Sequence, residues 1–593
     1  MKRYILIICC FLSFSAVGQN LQVAENYMEQ GEIKKAKAVY EKLYEQNPKD
    51  KRHALGLAQS QLELKDYENA QQTLQSYLKD RQQPDVMVVL GHVYTVQGED
   101  QKADVWYKKA ISKIEERPYF AFTIGKKFEE YGLLNQAIRT YEKGNALRPS
   151  INFKIKLARI YGEKGNLEKM FANYIDLITE RENYYNVIRR NFDGYITENP
   201  DNEANQIFRK LLIKNIQKAP HIMLNKMLSW LYIQEKQYLK AFAQQKAIVM
   251  RTDSSYQSMI YIGEVAAEEG FTDQAKQIYK SIIKQAKTKG AKIEATTALM
   301  QLNVRQADQQ DYASLEEDYE NYLNQFGRGK DTENLQLDFA RFLAFKLENI
   351  DKSKAMINAL LDKNLYRFSE GNAKLLLADI LVLEEKFNQA LIYYTKVEKM
   401  LPNNPLGQKA KFKVARTSYY KGDFDWAVTQ LDVLKKATSQ LIANDALELA
   451  LHIKDNGLRD STQTALKKVA QADLMLFQNK KVSAEKQLSA VIAEFPNHDI
   501  IDEVHFRLAQ IYQQQGKHQQ ALDAYKVIIN NYPDSILIDN AYFQVAELLQ
   551  YQLNNKQEAK DYYGKILFDH QDSIFYVEAQ KEFRKLRGDQ QIN

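Results

Sequence analysis

Small and aromatic residues recur along this chain with a period of about 34 residues. In one unit they are separated by gaps of three, four, five, four and three: Gly91, Tyr94, Gly98, Ala103, Tyr107 and Ala110. Residues three and four apart share one face of a helix, and a glycine after the first aromatic is typical of a turn between helices. The pattern therefore predicts a helix hairpin that buries its apolar face only by stacking on neighbouring hairpins.

The same ladder returns in three further places in near-identical register. Its members there are Gly125, Phe128, Gly132, Ala137 and Tyr141; then Ala158, Tyr161, Gly165 and Tyr174; and near the C-terminus Ala509, Tyr512, Gly516, Ala521, Tyr525 and Pro533. Because the ladder weakens in the middle of the chain, the sequence predicts several segments. After a leader at residues 1–18, these are an N-terminal repeat array at 19–182, an irregular helical segment at 183–370, a repeat pair followed by an irregular helix pair at 371–460, and a C-terminal array with a capping helix at 461–593.

The first 18 residues have the composition of a secretory signal peptide. Lys2 and Arg3 give a positive start, residues 4–14 form a short apolar run, and residues 16–18 are small enough for cleavage. Cleavage there would leave Gln19 as the first mature residue. We therefore expect a periplasmic or secreted protein, with a peripheral position at the outer membrane as one alternative.

The only two cysteines, Cys9 and Cys10, lie inside this leader. Lipidation of either is disfavoured because Ile7 and Ile8 precede them, where a lipoprotein signal requires a small residue. A mature chain without cysteine has no disulfides, no thiol catalysis and no thiolate metal site. Its stability must come from packing.

Composition favours an all-α protein and narrows the class of partner. Only 23 glycines and 10 prolines occur in 593 residues, which leaves little material for the turns of a β-rich fold. The net charge is +6, with 27% charged residues of both signs, which indicates a solvated surface rather than a nucleic-acid binder. Beyond the leader, no run reaches the roughly 18 apolar residues of a membrane helix, so no integral membrane span is expected.

The ladder of small and aromatic residues resembles the tetratricopeptide repeat. That resemblance implies an all-α, right-handed superhelical solenoid of stacked helix hairpins that binds proteins or peptides. Near the C-terminus, Tyr532-Pro533-Asp534-Ser535 and Asp572-Ser573 each precede a helix. This junction is similar to that of outer-membrane-assembly lipoproteins and of the coordinator proteins of the Tol-Pal system, which implies a role at the cell envelope.

No catalytic or metal-binding motif is recognisable in the sequence. Gly327-Arg328-Gly329-Lys330 has the composition of a phosphate loop, but Asn324 and Asp331 replace residues that such a loop requires. His498 and His505 lack the frame of a zinc helix, and no nucleophile elbow is found. We therefore expect no enzyme, no cofactor and no metal site.

In the superhelix that the resemblance implies, the first helix of each hairpin lines the concave side. The residue after the small position then points inward, which in the N-terminal array gives Glu25, Gln59, His92, Lys126 and Arg159. Tyr119 and Phe122 precede Lys126 on the same helical face. The sequence-predicted peptide-binding surface is therefore His92, Tyr119, Phe122, Lys126 and Arg159, with a peptide that carries an acidic or carboxylate-bearing stretch as its ligand. The alternative is that these residues are those of any solvated helix face in a charged protein.

Together these inferences predict a periplasmic tetratricopeptide-repeat scaffold. It would mediate protein–protein interactions in cell-envelope assembly or maintenance, with protein or peptide partners in the envelope. The alternative is a structural protein associated with the peptidoglycan of the cell wall.

Overall fold

The computed structural model describes residues 20–436, 440–457 and 462–589, and throughout these ranges the ordered elements are helices, with no β-strand. This confirms the all-α prediction. The predicted signal peptide lies outside the described residues, as does the predicted boundary at residue 460.

The chain forms two compact units, Met1–Ser254 and Ser255–Asn593. The first unit contains 3-10 turns at Pro149–Ile151 and Glu182–Tyr184. Its described α-helices are α1 (20–29), α2 (Ile33–Gln46), α3 (Lys51–Glu63), α4 (Tyr67–Asp80), α5 (Pro84–Val96), α6 (Asp100–Glu116), α7 (Phe120–Glu130), α8 (Leu134–Leu147), α9 (Lys154–Glu163), α10 (Leu167–Glu180), α11 (Tyr185–Arg190), α12 (Glu203–Lys218), α13 (Ile222–Gln234) and α14 (Tyr238–Thr252).

The second unit contains 3-10 turns at Gln309–Asp311 and Lys330–Thr332 and a π-helical turn at Leu548–Gln552. Its described α-helices are α15 (Gln257–Glu268), α16 (Thr272–Gln285), α17 (Lys289–Gln306), α18 (Tyr312–Phe326), α19 (Glu333–Phe345), α20 (Ile350–Leu361), α21 (Arg367–Leu383), α22 (Phe387–Met400), α23 (Pro405–Lys421), α24 (Phe424–Leu434), α25 (Gln440–Gly457), α26 (Thr464–Phe477), α27 (Lys481–Glu494), α28 (Ile501–Gln514), α29 (His518–Asn531), α30 (Ile538–Glu547), α31 (Lys556–Asp569) and α32 (Tyr576–Arg587).

Within each unit, successive helices pack as hairpins and the hairpins stack on one another. In the first unit α5 contacts α6 and also α7, the first helix of the next hairpin. In the second unit α19 contacts α21, and α21 contacts α23, in the same way. Such nearest-neighbour packing is the defining property of a solenoid, which confirms the predicted fold class.

The turns of the hairpins require a residue with a left-handed backbone. Gly98 has φ +79° between α5 and α6, which a glycine adopts without steric cost. At the corresponding turn between α3 and α4, Lys65 has φ +60°. Because this turn contains a lysine instead of a glycine, the hairpin of α3 and α4 matches the sequence pattern less well.

In two of the clear hairpins, a tyrosine ring of the second helix lies on a glycine of the first helix. A Cβ atom added to Gly91 would lie 2.4 Å from the Tyr107 ring, and one added to Gly125 would lie 2.4 Å from the Tyr141 ring. Both tyrosines are buried. The absence of a side chain on the first helix therefore makes room for the ring of the second.

The aromatic positions of the ladder form the core, as predicted. The buried members are Tyr94, Tyr107, Phe128, Tyr141, Tyr161, Tyr174 and Tyr525. Tyr512 is the exception, since its side chain is only half-buried. Burial raises the pKa of the Tyr107 phenol, which is consistent with an interior position.

Two irregular segments differ from the sequence prediction. Residues 191–202 form turns rather than helix, and Phe192 packs there against Phe171 and Phe208 with ring centroids 5.2 and 4.9 Å apart. Where the sequence predicted an irregular helix pair after residue 440, the structure has the single helix α25.

The Pro533-Asp534-Ser535 and Asp572-Ser573 junctions near the C-terminus are turns that precede a helix and also reach back one repeat. The Ser535 hydroxyl accepts from the backbone N–H of Leu537 at 3.1 Å and donates to Asp502 at 2.5 Å. Ser573 repeats both bonds, with Phe575 at 3.1 Å and Asp539 at 2.6 Å. Each junction therefore links consecutive first helices.

The capping helix α32 is basic, as predicted, but it is not uniformly polar. Lys581, Arg584 and Arg587 lie on its exposed side. Ile574 and Val577 are also exposed, at 85% and 74%. The end of the second unit therefore presents apolar surface that the sequence prediction of a polar cap did not include.

We predict that Gly125→Ala destabilises the first unit by ~1–3 kcal/mol, because the new methyl group overlaps the buried Tyr141 ring. The matched control is Gly290→Ala, since Gly290 is exposed on α17 and no described heavy atom lies within 4 Å of the position that its Cβ atom would take. Circular-dichroism melting should show a lower midpoint for Gly125→Ala and an unchanged or higher one for Gly290→Ala. Equal midpoints for the two variants would contradict the packing described.

Candidate functional site

His92, the first residue of the sequence-predicted surface, is used for packing. Its ring stacks on Tyr131, with ring centroids 3.8 Å apart and an interplanar angle of 10°. Burial lowers the pKa of His92, so the ring is neutral near pH 7. His92 therefore joins α5 to the end of α7 and offers only part of its ring to a ligand.

Tyr119 and Phe122 are both open to solvent, with exposed fractions of 61% and 48%. Each ring has a cation beside it: the Arg148 guanidinium lies 5.1 Å from the Tyr119 centroid and the Lys156 ammonium 6.0 Å from the Phe122 centroid. These are cation–π distances. The two aromatics are thus available for contact, but neighbouring cations already occupy part of their faces.

Lys126 and Arg159 are exposed, and both have acidic neighbours on α7. The Lys126 ammonium is 3.8 Å from Glu130, and Arg159 forms an ion pair with Glu129. The Glu129 side chain is only 13% exposed, although the sequence placed it among ordinary surface acids. The predicted basic end of this surface is therefore largely neutralised within the protein.

Arg159 also lines a cavity of about 410 Å³ in the first unit. Its walls are built by α9, α10 and the segment that follows them, and consist of Ile155, Lys156, Arg159, Glu163, Met170, Tyr174, Val187, Asn191 and Tyr195. Near this cavity the structure brings Arg159 to Glu129 on α7 and Lys156 to Phe122, also on α7. The other three residues of the sequence-predicted surface have different neighbours: His92 packs on Tyr131, Tyr119 lies beside Arg148, and Lys126 lies near Glu130 of its own helix.

A larger and more strongly charged cavity, of about 550 Å³, lies in the second unit. The first helices α23, α26 and α28, together with α25 and the start of α30, supply its walls. We call it the Arg416 cavity, lined by Phe412, Arg416, Tyr419, Tyr420, Asp445, Glu448, Leu449, His452, Asp473, Leu476, Phe477, Glu503, Phe506, Arg507, Gln510, Ile536, Leu537 and Asn540.

A closed network of charged groups forms the floor of the Arg416 cavity. The Arg507 guanidinium donates to both oxygens of Asp473, at 2.9 and 3.2 Å, and to Glu503 at 3.2 Å. The Tyr419 hydroxyl donates to Asp473 at 2.8 Å. Paired in this way, buried charges avoid the desolvation penalty of an isolated ion.

Helix α25 completes the network from the other side. Asn456 donates to Glu503 at 2.7 Å, and His452 Nδ1 forms a short contact with the same carboxylate. Burial opposes ionisation of Glu503, but His452 and Arg507 outweigh it and lower its pKa to about 2. The carboxylate is therefore ionised throughout the physiological range, and this network is a structural element.

Arg416 differs from Arg507 because its guanidinium has no carboxylate partner. It is exposed in the cavity, and within the described part of the chain no acidic oxygen forms an ion pair with it. Its Nε donates to the Tyr420 hydroxyl at 2.7 Å, and the guanidinium carbon lies 5.5 and 5.8 Å from the centroids of Tyr420 and Phe477. The remaining N–H groups are free to bind an anion.

A second polar cavity, of about 290 Å³, lies next to it along the first helices α17, α19, α21 and α23. Lys413 donates to the buried Asp379 at 2.7 Å at one end, and burial lowers the pKa of Lys413. Arg341 and Lys409 are exposed at its edge.

Asp338 lines the same cavity, and one oxygen of its carboxyl group lacks a hydrogen bond. Its Oδ2 atom is buried without a hydrogen-bond partner. Burial raises the pKa of this carboxyl to about 6, although Gln301 and the nearby Arg341 and Arg305 act in the opposite direction. The group therefore costs stability when it ionises in the folded protein.

The residue types around these cavities suit binding of charged groups. Among the residues that the structure describes, no three histidine, cysteine or acidic side chains are placed to hold a metal ion. Over the same ranges, none of the helices combines the length and apolar character needed to cross a membrane.

The sequence contained a signal for the Arg416 cavity that the N-terminal row did not reveal. The residue after the small position of each ladder is predicted to point inward, and in the C-terminal half those residues are Asp379, Arg416, Asp473 and Gln510. All four line the two cavities of the second unit. Beyond residue 182, the same positional rule therefore locates residues of the Arg416 cavity from the sequence.

We predict that Asp338→Asn stabilises the protein at pH 7.5 by about 1–3 kcal/mol, since a pKa raised by burial makes ionisation unfavourable in the folded state. The wild-type carboxyl ionises in the unfolded chain near pH 4 but in the folded chain only near pH 6. Wild-type stability therefore falls as pH rises through this window, and Asp338→Asn lacks that fall.

Thermal melts at pH 4.5 and 7.5 measure this difference. The variant should melt higher than wild type at pH 7.5 and close to it at pH 4.5. Asp104→Asn is the control, because the Asp104 side chain is 56% exposed and forms only a surface ion pair. A variant effect that is the same at both pH values would show that Asp338 is not the titrating group.

Comparison with known proteins identifies the repeats. Residues 27–113 match one family model described as tetratricopeptide repeat, and residues 503–535 match another with the same description. No curated protein sequence matches the chain. A solved structure described as "Structure of Naa15/Naa10 bound to HypK-THB" aligns over 97% of this chain and 95% of that chain, with 12% identity and a TM-score of 0.27, too low to support an inference. The helix hairpins at residues 27–113 and 503–535 are therefore tetratricopeptide repeats.

Proposed function

We propose that this chain is an exported scaffold that holds protein partners at the cell envelope. The observation that carries the proposal is a set of exposed basic side chains, Arg341 on α19 and Lys409 and Arg416 on α23, that line the two cavities of the second unit. Repeat arrays recognise extended partners through such surfaces. Charged and aromatic side chains in a groove favour recognition of a polypeptide.

Export is supported by the sequence at the N-terminus. A positive start, a short apolar run and small residues at 16–18 are what a signal peptidase substrate requires. Residues 19–593 contain no cysteine, so the exported chain would fold without an oxidising partner.

A role in envelope assembly or maintenance is supported by the C-terminal junctions. The sequences Pro533-Asp534-Ser535 and Asp572-Ser573 resemble the junctions of envelope proteins, and the two serines link consecutive repeats in the same way. The proposed role is binding rather than catalysis, because the buried charges of the Arg416 cavity are engaged with one another.

We predict that the mature protein begins at Gln19. Intact-mass and N-terminal peptide analysis of the protein purified from an envelope fraction should show loss of residues 1–18. Replacing Lys2 and Arg3 by glutamate should leave the precursor in the cytoplasm, because the positive start orients the leader. Recovery of Met1 in envelope-fraction protein would contradict export by cleavage.

We predict that partners contact the cavity side of the second unit. A photo-reactive amino acid at Lys409, which is exposed at the cavity edge, should form adducts with defined envelope proteins in intact cells. The matched control is Arg139, which is equally exposed on the second helix α8. Lys126 tests the sequence-predicted surface in the same experiment.

The alternative function has a distinct outcome. If no position yields a protein adduct and the purified chain co-sediments with peptidoglycan, the protein is a cell-wall component rather than a scaffold for proteins. Equal labelling from Lys409 and Arg139 would show that the first helices have no special role.

A further inference from the structure

Arg416 combines three properties that no other described arginine of the second unit shares. Its guanidinium is exposed, it forms no ion pair with a carboxylate among the described residues, and it lies beside two aromatic rings, those of Tyr420 and Phe477. Arg507, only a few side chains away in the same cavity, is fully engaged by Asp473 and Glu503. Asp473 is therefore engaged by Arg507 and forms no ion pair with Arg416, although its charge also acts on Arg416.

Apart from Nε, the N–H groups of the Arg416 guanidinium have no hydrogen-bond partner within the described part of the chain. Its Nε is used by the Tyr420 hydroxyl at 2.7 Å. The planar guanidinium presents its other N–H groups along one edge, a geometry that matches the two oxygens of a carboxylate. Because the hydrogen bond to Tyr420 restrains the guanidinium, less side-chain entropy is lost when a ligand binds.

Apolar surface surrounds this edge on more than one side. Phe412 lies one helical turn before Arg416 on α23, while Leu476 and Phe506 belong to α26 and α28. These side chains are partly exposed, and Ile536 at the far end of the cavity is 60% exposed. A carboxylate bound at Arg416 would therefore have apolar groups beside it in both directions.

The opposite wall carries the opposite charge. Asp445 and Glu448 lie one turn apart on α25, and both are exposed. No cation among the described residues forms an ion pair with either. The cavity therefore offers one cation on α23 and two anions on α25 that form no ion pair within the described part of the chain, together with partly exposed apolar side chains.

We propose that the Arg416 cavity binds an internal segment of a protein partner in which an aspartate or glutamate lies between apolar residues and a lysine or arginine follows. The acidic side chain pairs with Arg416, the apolar side chains contact Phe412, Leu476 and Phe506, and the basic side chain faces Asp445 and Glu448. This inference rests on the proposed scaffold function and specifies the chemistry of the partner.

The probe is an acetylated and amidated decapeptide, GSLFELFKSG, labelled with fluorescein, so that it carries neither a free N-terminus nor a free C-terminus. A second peptide has glutamine in place of its glutamate. Fluorescence anisotropy with the full mature chain should give at least about tenfold tighter binding of the glutamate peptide. Adding a peptide with the same glutamine but a free C-terminal carboxylate tests whether a chain end substitutes for the side chain.

Arg416→Gln should abolish the preference for glutamate over glutamine, and Arg416→Lys should restore only part of it, because an ammonium lacks the planar fork. Arg139→Gln is the matched control, since Arg139 is exposed and unpaired on α8 in the first unit, and it should bind both peptides as wild type does. Far-ultraviolet circular dichroism and melting curves verify that each variant is folded.

Three results would overturn the proposal. The first is that wild type binds the two amidated peptides with equal affinity. The second is that Arg416→Gln still prefers the glutamate peptide over the glutamine peptide. The third is that wild type does not bind the glutamate peptide at concentrations up to about 1 mM. Preferential binding of the free C-terminal peptide, or displacement of the probe only by soluble peptidoglycan fragments, would assign the cavity to another ligand and also overturn it. If these results occur while Lys409 still yields protein adducts in cells, the scaffold function stands and only the assignment of the Arg416 cavity is wrong.

Discussion

The stacking of a tyrosine ring on a residue with little or no side chain determines the geometry of this protein. At Gly91 and Gly125 the ring of the second helix fills the space in which a Cβ atom would lie. A close approach of this kind fixes both the distance between the helices and their rotation about their own axes. Once the small residue is held at the crossing, the residue that follows it must turn away from the partner helix. That is why Arg416, after Ala415, and Asp473, after Ala472, lie in a cavity.

The sequence was sufficient to predict the hairpins because their requirements are local. A glycine at the turn and small and aromatic residues at fixed gaps can be read without knowledge of distant contacts. The prediction weakened where a different residue meets the same requirement, as Lys65, Lys236 and Glu385 do by adopting positive φ at their turns. It also failed after residue 440, where an irregular helix pair was predicted and α25 is a single helix. The local pattern of small and aromatic residues does not determine how many helices an irregular segment forms.

The candidate site was harder to predict because it depends on which charges find partners. Lys126 and Arg159 looked available in the sequence, but Glu129 and Glu130 neutralise them in the folded first unit. Arg507 and Arg416 are the same residue type on first helices that line one cavity, yet Arg507 is paired with carboxylates and Arg416 is not. The difference arises from long-range contacts: Glu503 and Asp473 converge on Arg507, whereas Arg416 meets two aromatic rings. Periodicity locates inward-facing positions, but only the assembled structure shows which of their charges remain uncompensated.

Helix α25 shows how an interruption of the repeat can create a site within a regular array. Its C-terminal half supplies His452 and Asn456 to the buried network, which fixes the helix against α23 and α28. Its N-terminal half is thereby held across from α23, where it places Asp445 and Glu448 on the wall facing Arg416. A regular hairpin would place one inward-pointing residue on its first helix. It would not supply a second wall to the Arg416 cavity. The buried network therefore has a function beyond local stability, because the paired charges position the unpaired ones.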